Sequence, residues 1–148
     1  MTTFYLIRHG QTDWVGHTLA GRRPGVHLNT LGRAQAEALA RTLDGKPIAR
    51  IISSPLERAL ETAEPLARSL GLETEVHAAF IEIDFGEWTH CRIEALASNP
   101  QWQRWNLERS RTRIPGGESI LEVQTRFVNG LQELARQSPD QDIALFSH

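Results

Sequence analysis

The stretch ARIISSPLERALETAEPLARSLG, residues 49–71, joins a short apolar run to a long amphipathic segment. ARIISS is short and rich in β-branched residues, as expected of a buried strand. In the segment that follows, Ser54 is a candidate N-cap, Pro55 suits the first helical position and Gly71 follows the last turn. Pro65 lacks an N–H donor and predicts a kink or a break in this helix. A buried strand followed at once by a helix is the basic unit of an α/β domain.

The alternation of strand and helix continues on both sides of this unit. Three further apolar runs predict strands: FYLI at residues 4–7, TEVHA at 74–78 and DIALFS at 142–147. Helical periodicity covers residues 30–43 and 119–136. In the first helix the stripe expected to be buried comprises Leu31, Ala38, Leu39 and Leu43. In the second it comprises Ile120, Val123, Phe127, Leu131 and Leu134. The pattern predicts an α/β fold with a mostly parallel sheet.

Length, charge and cysteine content exclude several classes of protein. With 148 residues, of which 40% are hydrophobic, the chain can bury one core but not two, so we expect a single domain over residues 1–148. The formal net charge of −2 gives no overall attraction to nucleic acid or to an acidic membrane. The single cysteine, Cys91, excludes an internal disulfide, which favours a cytoplasmic setting. In the opening MTTFYLIRHG an arginine and a histidine follow a very short apolar run, so we expect neither a signal peptide nor a membrane span there.

Charged and imidazole side chains follow the ends of three predicted strands. Arg8, His9 and Gly10 follow the first strand, Arg58 lies one helical turn beyond the second, and His148 follows the last. In parallel sheets ligands bind beyond the carboxyl ends of the strands. Arginine presents a planar fork of donors to phosphate or carboxylate, and Gly10 lets the backbone approach closely. A neutral histidine at this edge can act as a nucleophile. The sequence therefore predicts an oxyanion site there.

Five sequence blocks occur in one order along nearly the whole chain: LIRHGQT, SSPLERALETA, EIDFGEW, GGES and FSH. Together they resemble the successive motifs of the histidine phosphatase superfamily, the phosphoglycerate-mutase-like proteins. The resemblance implies a three-layer α/β/α sandwich around a mostly parallel sheet. It also implies a phosphomonoesterase that hydrolyses a small phosphorylated metabolite through a phosphohistidine intermediate. Because arginines can supply the charge stabilisation in such a reaction, no metal ion or cofactor is expected.

The resemblance implies a role for each residue that matches a family motif. His9 matches the histidine that becomes phosphorylated, and His148 matches the second histidine of the phosphate pocket. Arg8 and Arg58 match the two arginines that hold the phosphate. The residues expected to contact phosphate or substrate are Arg8, Gly10, Thr12, Gly21, Arg22 and Arg58.

Glu82 matches the family's proton donor, which protonates the leaving oxygen and then serves as the base for water. Its apolar neighbours in the sequence favour a raised pKa for its carboxyl group through partial desolvation. Asp84 and Glu87 lie close by, and either is an alternative acid.

Two positions of the first loop depart from the family pattern. Val15 and Ala20 stand where many members have an asparagine and a glutamine that contact phosphate, so two neutral donors are lost here. One hypothesis is that Arg22 or Arg23, just beyond, replaces those contacts.

The resemblance implies further sequence beyond His148, including at least one more helix. We therefore interpret the chain as a family domain that lacks its C-terminal segment, and we expect an exposed apolar surface that favours association, for instance as a homodimer. The expected partner is a small-molecule phosphomonoester. Two alternative functions stay open. One is a phosphoglycerate-mutase-type phosphotransferase, although the long insertion of mutases is absent between Glu82 and Gly116. The other is a catalytically impaired phosphate-binding or interaction domain.

Overall fold

The computed structural model describes residues 1–148 and contains one four-stranded parallel sheet with helices on both faces. The strands are β1 (Thr3–Arg8), β2 (Ile48–Ser53), β3 (Thr74–Val76) and β4 (Asp142–Ser147). The helices are α1 (Thr30–Thr42), α2 (Glu57–Leu70), α3 (Ile93–Leu96), α4 (Pro100–Leu107) and α5 (Ile120–Gln137). Two short 3₁₀ helices, Ala78–Phe80 and Gly86–Trp88, lie between β3 and α3. The strand order is β1-β4-β2-β3, which confirms the predicted α/β architecture with a parallel sheet.

Two helical layers cover the sheet and make it a three-layer sandwich. Alternate residues of the central strand β4 point to opposite faces. Ala144 and Phe146 pack in the cluster formed with α1 and α2. Ile143 and Leu145 pack on the other side with Leu134 of α5. Burying such a side chain contributes about 1.5–3 kcal/mol, so a strand buried on both faces must be apolar throughout, as DIALFS nearly is.

The parallel arrangement brings the carboxyl ends of the strands to one edge of the sheet. In the strand register Arg8 lies opposite Ser147, and Ser53 lies opposite Phe146. The residues that follow β1, β2 and β4 are therefore neighbours in space, as the sequence predicts.

The beginning of α2 differs from the prediction. Leu56 occupies the N-cap position without a side-chain hydrogen bond, so Ser54 is not the N-cap and Pro55 is not the first helical residue. The Ser54 hydroxyl lies 2.8 Å from Nε2 of His148 and accepts a longer hydrogen bond, of 3.4 Å, from the Leu56 N–H. Pro65 lies inside α2, which continues unbroken around it.

The buried face of α1 is also only partly as expected. Leu39 and Leu43 pack in the core, but Leu31 is 53% exposed and Ala38 is also exposed. The residues that α1 buries within its own length are Gly32, Ala36 and Ala40. A Cβ atom on Gly32 would lie 2.1 Å from the carbonyl oxygen of Gln11, so the backbone of the first loop packs directly on the helix. Small residues occupy this face of α1 because the first loop leaves no space for a larger side chain.

A third apolar cluster lies beyond the edge of the sheet and supports the segment that contains Glu82. Its buried members are Ile83, Trp88, Leu96, Trp105 and Ile114. The N-terminal end of α5 adjoins this region, and Ser119 and Glu122 close it with a reciprocal capping box. The predicted apolar stripe of α5 packs partly on this cluster and partly on the sheet.

Some apolar side chains remain on the surface. Leu6 on the edge strand β1 is 60% exposed, and Leu121 and Val128 of α5 are also exposed. None of the helices has the length and apolar character needed to cross a membrane.

Gly86 lies where the EIDFGEW segment turns against the Pro115–Gly117 loop. Its φ is +46°, and a Cβ atom would lie 2.2 Å from the Pro115 carbonyl oxygen. Gly45, with a φ of +75°, has nothing within 4 Å of that point and is a matched control. Gly45→Ala should cost about 1–2 kcal/mol from its backbone conformation. We expect Gly86→Ala to cost about 1–3 kcal/mol more from overpacking. Urea unfolding of the two variants measures the difference, and equal costs would contradict the close packing described.

Candidate active site

A cavity of about 210 Å³ opens at the carboxyl edge of the sheet. Its wall includes Arg8 at the end of β1, His9 directly after it, Arg58 in the first turn of α2 and Glu82 from the segment after β3. His148, after β4, meets His9 edge to face, with ring centroids 5.2 Å apart. A larger cavity of about 530 Å³ borders His9 from another side but has neither Arg58 nor Glu82 in its wall. Four of the five residues whose motifs imply catalysis thus line the smaller cavity, and the fifth, His148, contacts the His9 ring.

His9 is held through its backbone and through its ring. Its N–H donates to the Ser147 carbonyl at 2.9 Å, and its Nδ1 lies 2.7 Å from the Gly10 carbonyl oxygen. Because a carbonyl only accepts, Nδ1 carries the proton and Nε2 keeps its lone pair. Nε2 accepts from Nε of Arg58 at 3.3 Å. Burial, with the positive charges of Arg58 and Arg8, lowers the pKa of His9 to about 4 despite the Gly10 contact. The ring is therefore neutral at physiological pH.

Arg58 is a cation that is only 1% exposed. Its Nη2 donates to the Gly21 carbonyl at 2.8 Å and lies 3.8 Å from Oε2 of Glu82. Its Nη1 is buried and has no hydrogen-bond partner. Burial lowers the pKa of Arg58, although the Glu82 charge opposes that shift. A desolvated guanidinium with an unused donor is suited to an anion, which would satisfy the donor and balance the charge.

Thr62 belongs to the site although the sequence did not point to it. Its hydroxyl donates to the Arg58 carbonyl at 2.6 Å and accepts from the Gly10 N–H at 2.9 Å, so it joins the end of β1 to α2. Gly10 itself does not line the 210 Å³ cavity but borders the larger one, and its backbone packs against α1, where a Cβ atom would lie 2.6 Å from the Gly32 carbonyl oxygen. Its position in the sequence could have identified it, because Thr62 lies four residues after Arg58 and therefore on the same face of the helix.

Glu82 is the carboxylate of the EIDFGEW segment that reaches the cavity. Its Oε1 accepts from the Ile83 N–H at 2.9 Å, and its Oε2 lies 3.9 Å from Nδ1 of His148. Burial raises the pKa of Glu82, and this outweighs the Ile83 hydrogen bond and the nearby arginines, which lower it. Neither Asp84 nor Glu87 lines the cavity, and Asp84 instead accepts from a backbone N–H of its own turn.

His148 is fixed by Ser54, whose hydroxyl oxygen lies 2.8 Å from Nε2. Its Nδ1 is buried and has no hydrogen-bond partner. Burial, reinforced by the charges of Arg58 and its neighbours, holds the pKa of His148 far below its usual range, so this ring is also neutral. Ser54 therefore orients a side chain of the site and does not begin a helix.

The first loop forms one wall of the cavity. Thr12 and Gly21 line it, and so do Val15 and Ala20, the two departures from the family pattern. The wall at these positions is apolar. It offers no side-chain donors to replace the asparagine and the glutamine.

Arg22 and Arg23 do not line the cavity. The Arg22 guanidinium donates to the Glu82 carbonyl at 2.9 Å and pairs with Glu118 at 2.8 Å. The Arg23 guanidinium lies over the Trp14 ring, 5.7 Å from its centroid. Both arginines are thus engaged outside the cavity, and the hypothesis that they replace the lost donors has no support in the geometry.

The groups around the cavity have complementary chemistry. A neutral imidazole with an unprotonated nitrogen can attack an electrophile, and the guanidinium groups can bind a tetrahedral anion. A carboxyl group with a raised pKa can protonate a leaving oxygen. No three His, Cys, Asp or Glu side chains are grouped so as to hold a metal ion.

Sequence comparison relates residues 4–148 to the model of the histidine phosphatase superfamily, branch 1. Phosphoserine phosphatase 1 of Hydrogenobacter thermophilus is 31% identical over 153 residues, and the match covers 100% of this chain and 71% of that protein. Glucosyl-3-phosphoglycerate phosphatase of Mycobacterium tuberculosis is 36% identical over 140 residues, covering 91% of this chain and 61% of that protein. A bifunctional protein of the same species is 34% identical, but the chain spans only 41% of its length.

Solved structures give the same relationship. The mycobacterial glucosyl-3-phosphoglycerate phosphatase in complex with VO3 superimposes with a TM-score of 0.88 at 32% identity, covering 97% of this chain and 74% of that one. The α-ribazole phosphatase of Shigella flexneri superimposes with a TM-score of 0.87 at 26% identity, covering 98% and 73%.

Proposed function

Because the chain belongs to the histidine phosphatase superfamily, branch 1, we propose that it hydrolyses phosphomonoesters through phosphorylation of His9. The single observation that carries the proposal is the state of the His9 ring. Its Nδ1 is bonded to a carbonyl, its Nε2 is unprotonated and meets only the long contact from Arg58, and burial lowers the pKa of the ring to about 4. A histidine held in this way beside a buried arginine is neutral and nucleophilic at the pH of most cells.

The reaction proceeds in two displacements. Nε2 of His9 attacks phosphorus, the bond from phosphorus to the ester oxygen breaks, and the Glu82 carboxyl gives its proton to the departing alcohol. Water then attacks the phosphoryl group, the bond from phosphorus to nitrogen breaks, and the Glu82 carboxylate takes the proton from water. The nucleophile and the acid both return to their starting forms.

Arg8 and Arg58 stabilise the phosphoryl group while its negative charge spreads over three oxygens. Arg58 contributes the donor Nη1, which has no partner within the protein. Nδ1 of His148, whose ring contacts that of His9, is another buried nitrogen without a partner. Anion binding would satisfy the Arg58 donor that folding leaves unpaired.

The substrate is a small phosphomonoester. The relatives' names specify phosphoserine, glucosyl-3-phosphoglycerate and α-ribazole phosphate esters, which share the monoester group and little else. The cavity of about 210 Å³ accommodates that group and part of a leaving alcohol. Trp14, Leu19 and Phe85 add apolar surface to the wall, where the non-phosphate part would lie.

We expect residues 1–148 to behave as one domain. A homodimer, a cytoplasmic location and the lack of nucleic-acid binding remain predictions from the sequence.

The function is tested by release of inorganic phosphate from a panel of phosphomonoesters and, as a control, from phosphodiesters. We expect turnover of monoesters only, with one phosphate released for each alcohol. Alcohol release without an equal amount of phosphate, in the presence of an acceptor hydroxyl, would favour the phosphotransferase alternative. No turnover of any monoester would contradict the proposal.

Replacement of Glu82 by Gln removes the proton donor and nearly preserves its shape. We expect kcat/KM for an alkyl phosphomonoester to fall by about 10²- to 10⁴-fold. The wild-type rate should fall at low pH as His9 is protonated near its pKa of about 4. It should also fall at high pH as Glu82, whose pKa is raised by burial, loses its proton. In the pH–rate profile of Glu82→Gln, the decrease at low pH should remain and the decrease at high pH should be absent.

Glu87→Gln is the control, since Glu87 is exposed in the same segment and does not line the cavity. It should retain the wild-type rate and both limbs of the pH profile. A Glu82→Gln protein that keeps the wild-type alkaline limb would show that another group supplies the proton.

A further inference from the structure

We infer that Arg126, together with Glu118 and Arg22, is a positioning group that holds the main chain at Glu82 so that its carboxyl group meets the leaving oxygen. The inference rests on the proposed function, in which Glu82 is the proton donor. None of the three side chains touches the cavity, so they would act only through Glu82.

The carbonyl oxygen of Glu82 accepts hydrogen bonds from two guanidinium groups that come from distant parts of the chain. Nε of Arg22, in the first loop, donates at 2.9 Å. Nη2 of Arg126, in α5, donates at 3.1 Å. Charged donors make stronger hydrogen bonds than neutral ones, and two of them on one carbonyl restrict its position from two directions.

Glu118 of the GGES motif holds both arginines in place. Its Oε2 lies 2.8 Å from Nη2 of Arg22, and its Oε1 accepts from Nε of Arg126 at 3.1 Å. The same carboxylate accepts from the Asp84 N–H at 3.0 Å, and the Glu118 N–H donates to the Asp84 carbonyl at 3.0 Å. Glu118 therefore holds both arginines and also the main chain at Asp84, two residues after Glu82.

The chain on the other side of Glu82 is held by Arg126 as well. Nη1 of Arg126 donates to the Ala79 carbonyl at 2.6 Å, three residues before Glu82. The segment between the two 3₁₀ helices is neither helix nor strand, so no regular backbone ladder orients Glu82. The side chains of Arg22, Arg126 and Glu118 hold the main chain of this segment in place of such a ladder.

Proton donation matters only when the leaving oxygen is basic, and this gives the inference a specific signature. An alkoxide needs a proton as it leaves, whereas 4-nitrophenolate leaves without one. Displacement of an acid by about 1 Å can cost about 10²-fold in rate. Loss of the positioning group should therefore slow alkyl esters far more than 4-nitrophenyl phosphate. A purely structural role would slow both substrates equally.

The test compares kcat/KM for an alkyl phosphomonoester and for 4-nitrophenyl phosphate in Arg126→Met, Glu118→Gln and wild-type protein. We expect about 10- to 100-fold loss on the alkyl ester in both variants and less than about 3-fold loss on the nitrophenyl ester. Glu118→Gln is the second variant because it preserves shape, so the inference stays testable if Arg126→Met folds poorly. Arg68→Met is the matched control, because Arg68 also binds two carboxylates but on the far surface of α2. It should match wild type on both esters.

Equal losses on the two substrates, or no loss on either, would overturn the inference. Glu82→Gln, measured in parallel, separates this failure from failure of the proposed function. If Glu82→Gln shows the selective loss and the Arg126 and Glu118 variants do not, only the positioning role is wrong. If Glu82→Gln itself shows no selectivity, the acid role of Glu82 fails and the inference falls with it.

Discussion

Replacing His9 by alanine is expected to lower the hydrolysis of every phosphomonoester by about 10⁴-fold or more. The loss should be this large because the imidazole forms the covalent intermediate, and water alone is a weak nucleophile in the same pocket. The loss should not depend on the leaving group, since both alkyl and aryl esters require the attack. Initial rates of phosphate release at saturating substrate measure the effect.

His17→Ala is the control for this variant, because His17 is exposed in the first loop and does not line the cavity. It should keep the wild-type rate. A His9→Ala protein within about 10-fold of wild type would mean that another residue or water carries the first displacement.

Arg58→Met is expected to lower kcat/KM by about 10³-fold, since removal of one preorganised donor to a developing anion costs about 10²- to 10³-fold. The same change should leave the free energy of unfolding unchanged or raise it. Burial lowers the pKa of Arg58, which means that its charge disfavours the folded state, and Nη1 has no partner. Methionine has a similar length and carries no charge to desolvate, and this gain should offset the loss of the hydrogen bond to Gly21 and of the 3.8 Å contact with Glu82. Activity should therefore fall sharply without a loss of stability.

Arg50→Met provides the contrast in a urea-unfolding experiment. The hydrogen-bonded Glu75 raises the pKa of Arg50, and the guanidinium donates to that carboxylate at 2.8 and 2.7 Å. Its removal should therefore lower stability. If Arg58→Met were destabilised by more than about 1 kcal/mol, Arg58 would be a structural ion-pair partner of Glu82 and not a site kept ready for an anion.

Inorganic phosphate should also raise the melting temperature of wild-type protein but not of Arg58→Met, because a ligand stabilises only a protein that binds it.

The sequence predicted the parts of the site that depend on strand ends. A parallel strand that is buried on both faces appears in the sequence as an unbroken apolar run, so the sequence shows where the strand ends. The residues that follow several such strands must lie together at one edge of the sheet. Arg8, His9 and His148 were found in this way. Arg58 followed from its place in the first turn of the helix after β2.

Other features depend on contacts that no local pattern reveals. The buried face of α1 is set by the close approach of the Gln11 backbone to Gly32, which hydrophobicity does not register. Ser54 has the residue type of an N-cap, but its hydroxyl is bound to His148. Side-chain chemistry alone leaves such choices open.

The network around Glu82 was missed for a related reason. Arg126 lies 44 residues from Glu82 and Arg22 lies 60 residues away, so their convergence is a product of the tertiary fold. A cation near a phosphate motif suggests phosphate binding, which is why Arg22 was expected in the pocket. The GGES block marked the place of Glu118 without revealing that it links two arginines.

The central claim is that His9 carries the phosphoryl group, and trapping the intermediate tests it most directly. Wild-type protein is mixed with a phosphomonoester, quenched with alkali within the first turnover, digested and examined by mass spectrometry. Alkali is used because phosphohistidine is labile to acid. A phosphoryl group on the peptide that contains His9, with fragment ions placing it on His9 and none on the His9→Ala protein, is the predicted result. A phosphoryl group on another residue, or product formation with no phosphorylated protein at any quench time, would contradict the claim.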